Sequence, residues 1–152
     1  MPNCLFRHAA LAVLMLGITP AFAQEAATVK VSQSDQHGQY LTDGQGRAVY
    51  LFTADKQGQG DTQAQVSCTG ECLDAWPPLY TQGEPQAGDM ADASLLGTVE
   101  HDGRQMVTYN GWPLYYFARD AGPGQTTGQD IESFGGEWYL VSPQGIKVEK
   151  QG

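Results

Sequence analysis

Two stretches decide the reading of this chain: AVYLFTAD at residues 48–55 and PLYYFARD at residues 113–120. Both contain Tyr-x-Phe-x-x-Asp, so that Tyr50, Phe52 and Asp55 recur as Tyr115, Phe117 and Asp120. Side chains of an extended strand alternate between its faces, which puts each Tyr on the same face as the Phe two residues later. An aromatic strand face ending in an aspartate, written twice, predicts a duplicated β-unit.

The residues before each motif support this. In the second copy, TVEH (98–101), RQMVTY (104–109) and WPLYYF (112–117) are separated by Asp102-Gly103 and Asn110-Gly111. Such pairs accept the positive φ angles of two-residue hairpin turns. The result is a three-stranded meander. In the first copy, VKVSQ (29–33), QYLT (39–42) and RAVYLF (47–52) follow the same order through the longer connections 34–38 and 43–46. Each meander leads into an Asp-led, glycine-rich loop and then a Trp-containing apolar segment, WPPLY at 76–80 and EWYLV at 137–141. Pro77 and Pro78 lack the N–H of a central strand, so the first segment is expected to be an edge or an extended loop, whereas the second can pair fully. The expected fold is all-β, with two tandem three-stranded antiparallel meanders packed with pseudo-symmetry as one small domain. Trp76 and Trp138 are expected to close equivalent ends of it.

The 19 Gly and 8 Pro, together with the lack of sustained helical spacing, agree with that class. Residues 1–23 read as a signal peptide: Arg7 and His8, an apolar run over 9–18, and the small-x-small site Ala21-Phe22-Ala23. The run is too short to span a membrane, which takes ~20 residues. Residues 24–152 then form one domain, with repeat 1 at about 28–80, a linker at about 81–94 and repeat 2 at about 95–142. The formal net charge is −9, and loss of Arg7 with the leader makes it one unit more negative. A chain this acidic argues against nucleic acid as partner, because phosphate contacts require clustered Lys and Arg.

Cys68 and Cys72, in SCTGEC, read as a structural disulfide in an exported chain. Gly70 lets the backbone turn between them, bringing the Cα atoms within the ~7 Å a bridge requires. Three residues intervene and Leu73 follows, which does not suit covalent haem attachment. Two Cys with the separated His37 and His101 do not make a structural zinc site. Copper is the alternative, since two thiolates with a His or Met suit Cu(I); Cys68, Cys72 and His101 are the candidates, with His37, Met90 and Met106 also available. Asp55 with Asp61, and Asp120 with Asp130, are too sparse for a calcium loop. A Gly-x-Ser-x-Gly elbow and a phosphate loop are both absent, and nothing argues for an enzyme. The motif aromatics admit two readings: a core between the meanders, with the aspartates accepting backbone N–H bonds, or an exposed stacking platform for sugar rings.

Together, Tyr50-x-Phe52-x-x-Asp55, Cys68-x-Gly70-x-Cys72, Trp76-Pro77-Pro78-Leu79, Tyr109-Asn110-Gly111-x-Pro113-Leu114-Tyr115-x-Phe117 and Phe134-Gly135-Gly136-x-Trp138 resemble the bacterial secreted-repeat family of predicted lipoproteins with a Tyr-x-(Phe/Trp/Tyr)-x-x-Asp motif. The resemblance covers about residues 38–143 and implies a bacterial exported protein, often lipid-anchored. Cys4 precedes the apolar run rather than following it, so a lipid anchor is not expected and a periplasmic or secreted form is. The resulting expectation is a non-enzymatic binding or structural module of the cell envelope. It would carry no cofactor, and its partner would be an envelope component or a small ligand. The rival is a periplasmic copper-binding or thiol-redox accessory protein using Cys68 and Cys72.

Overall fold

The computed structural model describes residues 25–150; the signal-peptide reading therefore lies outside the described residues. Strands β1 (Thr28–Ser34), β2 (Gly38–Asp43) and β3 (Tyr50–Phe52) belong to the first repeat. They are followed by helix α1 (Glu71–Ala75) and strand β4 (Tyr80–Thr81). Strand β5 (Gln86–Ala87) and a 3₁₀ turn at Ala93–Leu95 lead into β6 (Leu96–His101), β7 (Arg104–Tyr109) and β8 (Trp112–Pro113). The chain finishes through β9 (Ile131–Ser133) and β10 (Gly136–Leu140).

The two hairpins correspond strand for strand. Val31 faces Leu41 across β1 and β2, and Thr98 faces Val107 across β6 and β7. At the following turn, the Val49 amide donates to the Leu41 carbonyl and the Leu114 amide to the Val107 carbonyl. Asp102-Gly103 (φ 51° and 72°) and Asn110-Gly111 (φ 49° and 78°) adopt the positive angles expected of two-residue turns. In repeat 1 each turn is one residue longer. The chain is therefore the all-β, pseudo-symmetric pair of meanders that the motifs predict.

The Trp segments do not stay with their own meanders. Strand β10 of repeat 2 pairs with β3 of repeat 1, Tyr139 opposite Leu51, and the Leu41 amide donates to the Val141 carbonyl. Reciprocally, the Leu79 amide of repeat 1 donates to Leu114, the Tyr116 amide to Pro77, and the Val107 amide to the Leu79 carbonyl. The prolines behave as expected: Pro77 only accepts, and β4 is a two-residue edge on β7. At the centre, Tyr50 and Tyr115 exchange both backbone bonds, at 2.8 and 2.9 Å. The pseudo-twofold axis passes between them.

The stretch 81–94 is more than a connection. Strand β5 runs parallel to β1, with Ala87 opposite Val29, and the Val31 amide donates to the Asp89 carbonyl. The tail folds back on β10, where the Val148 amide donates to Leu140 and Val148 is buried. No helix among the described residues is long and apolar enough to cross a membrane.

Candidate functional site

The repeated motif faces inward. Tyr50, Phe52 and Tyr115 are 0–1% exposed and Phe117 6%, so the stacking-platform reading does not hold. Two apolar layers flank the motif strands, and the aromatic one contains every motif ring together with both tryptophans and both cysteines. Trp76 and Trp138 do not close separate, equivalent ends of the domain. They lie face to face at 3.9 Å with planes 2° apart. Phe52 stacks on the outer face of Trp138 at 4.0 Å and Phe117 on that of Trp76 at 4.2 Å. Tyr50 meets Trp76 edge-on at 5.5 Å, and Tyr115 meets Trp138 edge-on at 5.1 Å. The edge-on contacts set the positive rim of one ring against the negative face of another, and the parallel stacks bury the ring faces against each other.

The polar ends of the motif are exchanged. The Tyr50 hydroxyl donates to Asp120 Oδ2 at 2.6 Å, and the Tyr115 hydroxyl donates to Asp55 Oδ2 at 2.7 Å. The other oxygen of each carboxylate holds its own loop. Asp55 Oδ1 accepts from the Ser67 amide and hydroxyl at 2.7 and 2.8 Å; Asp120 Oδ1 accepts from those of Thr127 at 2.9 and 2.6 Å. Each aspartate is thus a buried acceptor with three donors, which is how a low-dielectric interior tolerates a carboxyl group. Burial raises the Asp55 pKa above the ordinary carboxylate value, and the Ser67 amide is the first of the contacts opposing that shift. Burial, with the neighbouring carboxylate, pushes both motif phenols well above the usual tyrosine range.

Beyond the motif, the repeats diverge where the loops re-enter the core. Residue 128 is glycine because a Cβ there would lie 2.8 Å from Tyr50 Cζ and 3.0 Å from the Trp76 ring, and its amide donates to the Tyr50 hydroxyl at 3.2 Å. At the corresponding point after Ser67, repeat 1 carries Cys68, disulfide-bonded to Cys72 with a Cα–Cα distance of 5.4 Å. Both sulfurs' residues are buried against the aromatic layer. Gly70, at φ 58°, makes the turn into α1.

The remaining ligand candidates are scattered. Met106 is wholly buried, Met90 is 63% exposed, and His37 lies in the β1–β2 turn, with its amide bonded to Ser34 Oγ. Among the described residues, no three His, Cys, Asp or Glu side chains gather in a metal-holding group. His101 instead joins a cluster that the sequence reading missed. Its Nδ1 is 3.0 Å from the Tyr80 hydroxyl, and the Arg104 guanidinium lies 3.7 Å from the Tyr80 ring centroid. Tyr80 is half-buried and packs against the aromatic layer. The signal for this cluster was the Asp102-Gly103 turn: a two-residue hairpin necessarily pairs His101 with Arg104.

Comparison with known proteins agrees with the internal symmetry. The family described as a secreted repeat of unknown function matches residues 31–80 and again residues 98–142. No curated protein and no solved structure matches the chain. The two matched segments cover more than half of the sequence, and the interlocked halves of the fold correspond to them; the chain belongs to this family of secreted repeats and carries the repeat twice.

Proposed function

We propose that the protein is an exported, non-enzymatic structural or binding module of the bacterial cell envelope. One observation carries this reading: the groups that define the repeat are consumed by the fold. The four motif aromatics and both tryptophans are buried, and the two aspartates accept from Tyr50, Tyr115, Ser67 and Thr127 inside the molecule. The motif builds a rigid scaffold, and recognition belongs to the outer surface. The disulfide suits an oxidising compartment, and the family is one of secreted repeats. The partner in this reading is an envelope component or a small ligand, and no cofactor is involved.

The copper or thiol-redox reading uses the same two sulfurs that the disulfide joins. It therefore requires reduction before a metal can bind, because thiolates rather than disulfide sulfurs are the ligands. One preparation separates the two readings: the protein isolated without reductant from its native compartment, assayed for thiols, metal and sedimentation with purified envelope fractions. The module reading expects no free thiol, no stoichiometric metal and co-sedimentation that survives Cys68→Ser/Cys72→Ser if the variant remains folded. A stoichiometric metal lost in that variant would replace it with the copper reading. A folded protein that stays in the supernatant with every envelope fraction would remove its binding role.

A further inference from the structure

The geometry points to a second capacity of the aromatic core: it is a sink for single oxidising equivalents, entered at Tyr80 and ending as a neutral tyrosyl radical at Tyr50 or Tyr115. This does not rest on the envelope-module reading, and either can fail without the other.

A redox-active tyrosine needs a proton acceptor within hydrogen-bond reach, because the phenol loses its proton as it loses an electron. Tyr50 and Tyr115 have carboxylate acceptors at 2.6 and 2.7 Å, away from solvent. They also need an electronic route, and between the two inner tyrosines the rings supply it by direct contact. Tyr50 touches Trp76, Trp76 stacks on Trp138, and Trp138 touches Tyr115. The entrance is the half-buried Tyr80, which packs against this layer and whose hydroxyl lies 3.0 Å from His101 Nδ1, the group assigned here as its proton acceptor.

The charges set the direction. A ring that has given up an electron is positive, so the Arg104 guanidinium 3.7 Å from the Tyr80 centroid opposes a lasting deficit there. The Asp55 and Asp120 carboxylates favour one at Tyr115 and Tyr50. The two inner tyrosines are equivalent under the pseudo-twofold axis.

The steps balance. An outer-sphere one-electron oxidant of the peroxyl or carbonate radical class takes an electron from Tyr80, whose phenolic proton passes to the His101 imidazole. An electron from the core refills Tyr80 and the proton returns to it. The deficit passes between the two inner tyrosines through Trp138 and Trp76. It ends when Tyr115 passes its proton to Asp55 Oδ2, or Tyr50 passes its proton to Asp120 Oδ2. A small reductant of the ascorbate or thiol class later returns one electron by the same route, and the carboxyl group returns the proton. No bond between heavy atoms forms or breaks.

The test is photochemical oxidation of the intact protein by tris(bipyridyl)ruthenium(III), read by transient absorption and freeze-quench electron paramagnetic resonance. The expected product is a neutral tyrosyl radical that survives in Tyr50→Phe and in Tyr115→Phe. In the double variant it should be lost, with an indolyl radical accumulating instead. Tyr80→Phe, a half-exposed change that spares the core, should slow radical formation. A radical that persists in the folded double variant would overturn the proposal, as would an unchanged rate in Tyr80→Phe. The second outcome decides the matter even if the double variant fails to fold.

Discussion

Tyr50 and Tyr115 contribute through their hydroxyls as much as through their rings. Removing either hydroxyl leaves a buried carboxylate one donor short, so Tyr50→Phe and Tyr115→Phe should each destabilise by about 1.5–3 kcal/mol, the range for hydrogen bonds to charged groups. Urea unfolding should return similar values for the two, because their environments are related by the pseudo-symmetry. Asp55 adds a pH dependence with a definite sign. Its folded pKa is raised by burial, so between the ordinary value and the raised one the folded state binds more protons than the unfolded state. Stability from this group is therefore greatest at low pH and falls as pH rises through that window. Thermal unfolding across mildly acidic pH should show a steeper decline for the wild type than for Asp55→Asn, and parallel curves would contradict the assignment. The aspartates were legible as loop-starting acceptors, but not their tyrosine partners. Each copy offers a chemically identical Tyr, and spacing cannot say whether an Asp takes its own or the other.

At the scale of single elements, α1 and its disulfide replace in repeat 1 what the β9–β10 hairpin does in repeat 2: both carry the chain from the aspartate-bound loop back to the central tryptophan. The bridge closes a short loop, and its removal by Cys68→Ala/Cys72→Ala should cost about 2 kcal/mol on chain-entropy grounds. The sulfurs' residues are 1% and 3% exposed, so mild reductant should leave the disulfide intact until the protein unfolds. Thiol titration with and without urea checks this. The hairpins were the most legible elements, since Asp102-Gly103 and Asn110-Gly111 state their turn type locally. Strand β5 was not legible: two residues pairing in parallel with β1 are held by backbone bonds that leave no pattern in side chains.

Over the whole molecule, the repeats are interlocked, and neither closes a core alone. Separate chains comprising 24–90 and 91–152, divided beside the exposed Met90, should each lack cooperative unfolding and should recover the fold on mixing. The reporter is the Trp76–Trp138 stack, whose coupled indole transitions should produce a far-ultraviolet circular dichroism couplet that is lost in Trp76→Phe. A first half that unfolds cooperatively as a monomer would show that the exchange of Trp segments is dispensable. This exchange is the largest feature that sequence reading missed. Edge and central positions can be inferred from Pro77 and Pro78, but the identity of the partner strand depends on contacts between residues far apart in the chain.

That exchange also has a consequence in time. The motif strand β3 is complete by Phe52, yet its neighbour β10 begins only at Gly136, near the other end of the chain. A ribosome therefore releases most of the molecule before the first repeat can close, and loop-closure entropy over that distance makes early collapse unproductive. The chain should remain open and threadable until its last strand has been made, the condition in which a polypeptide can still be passed through a narrow pore.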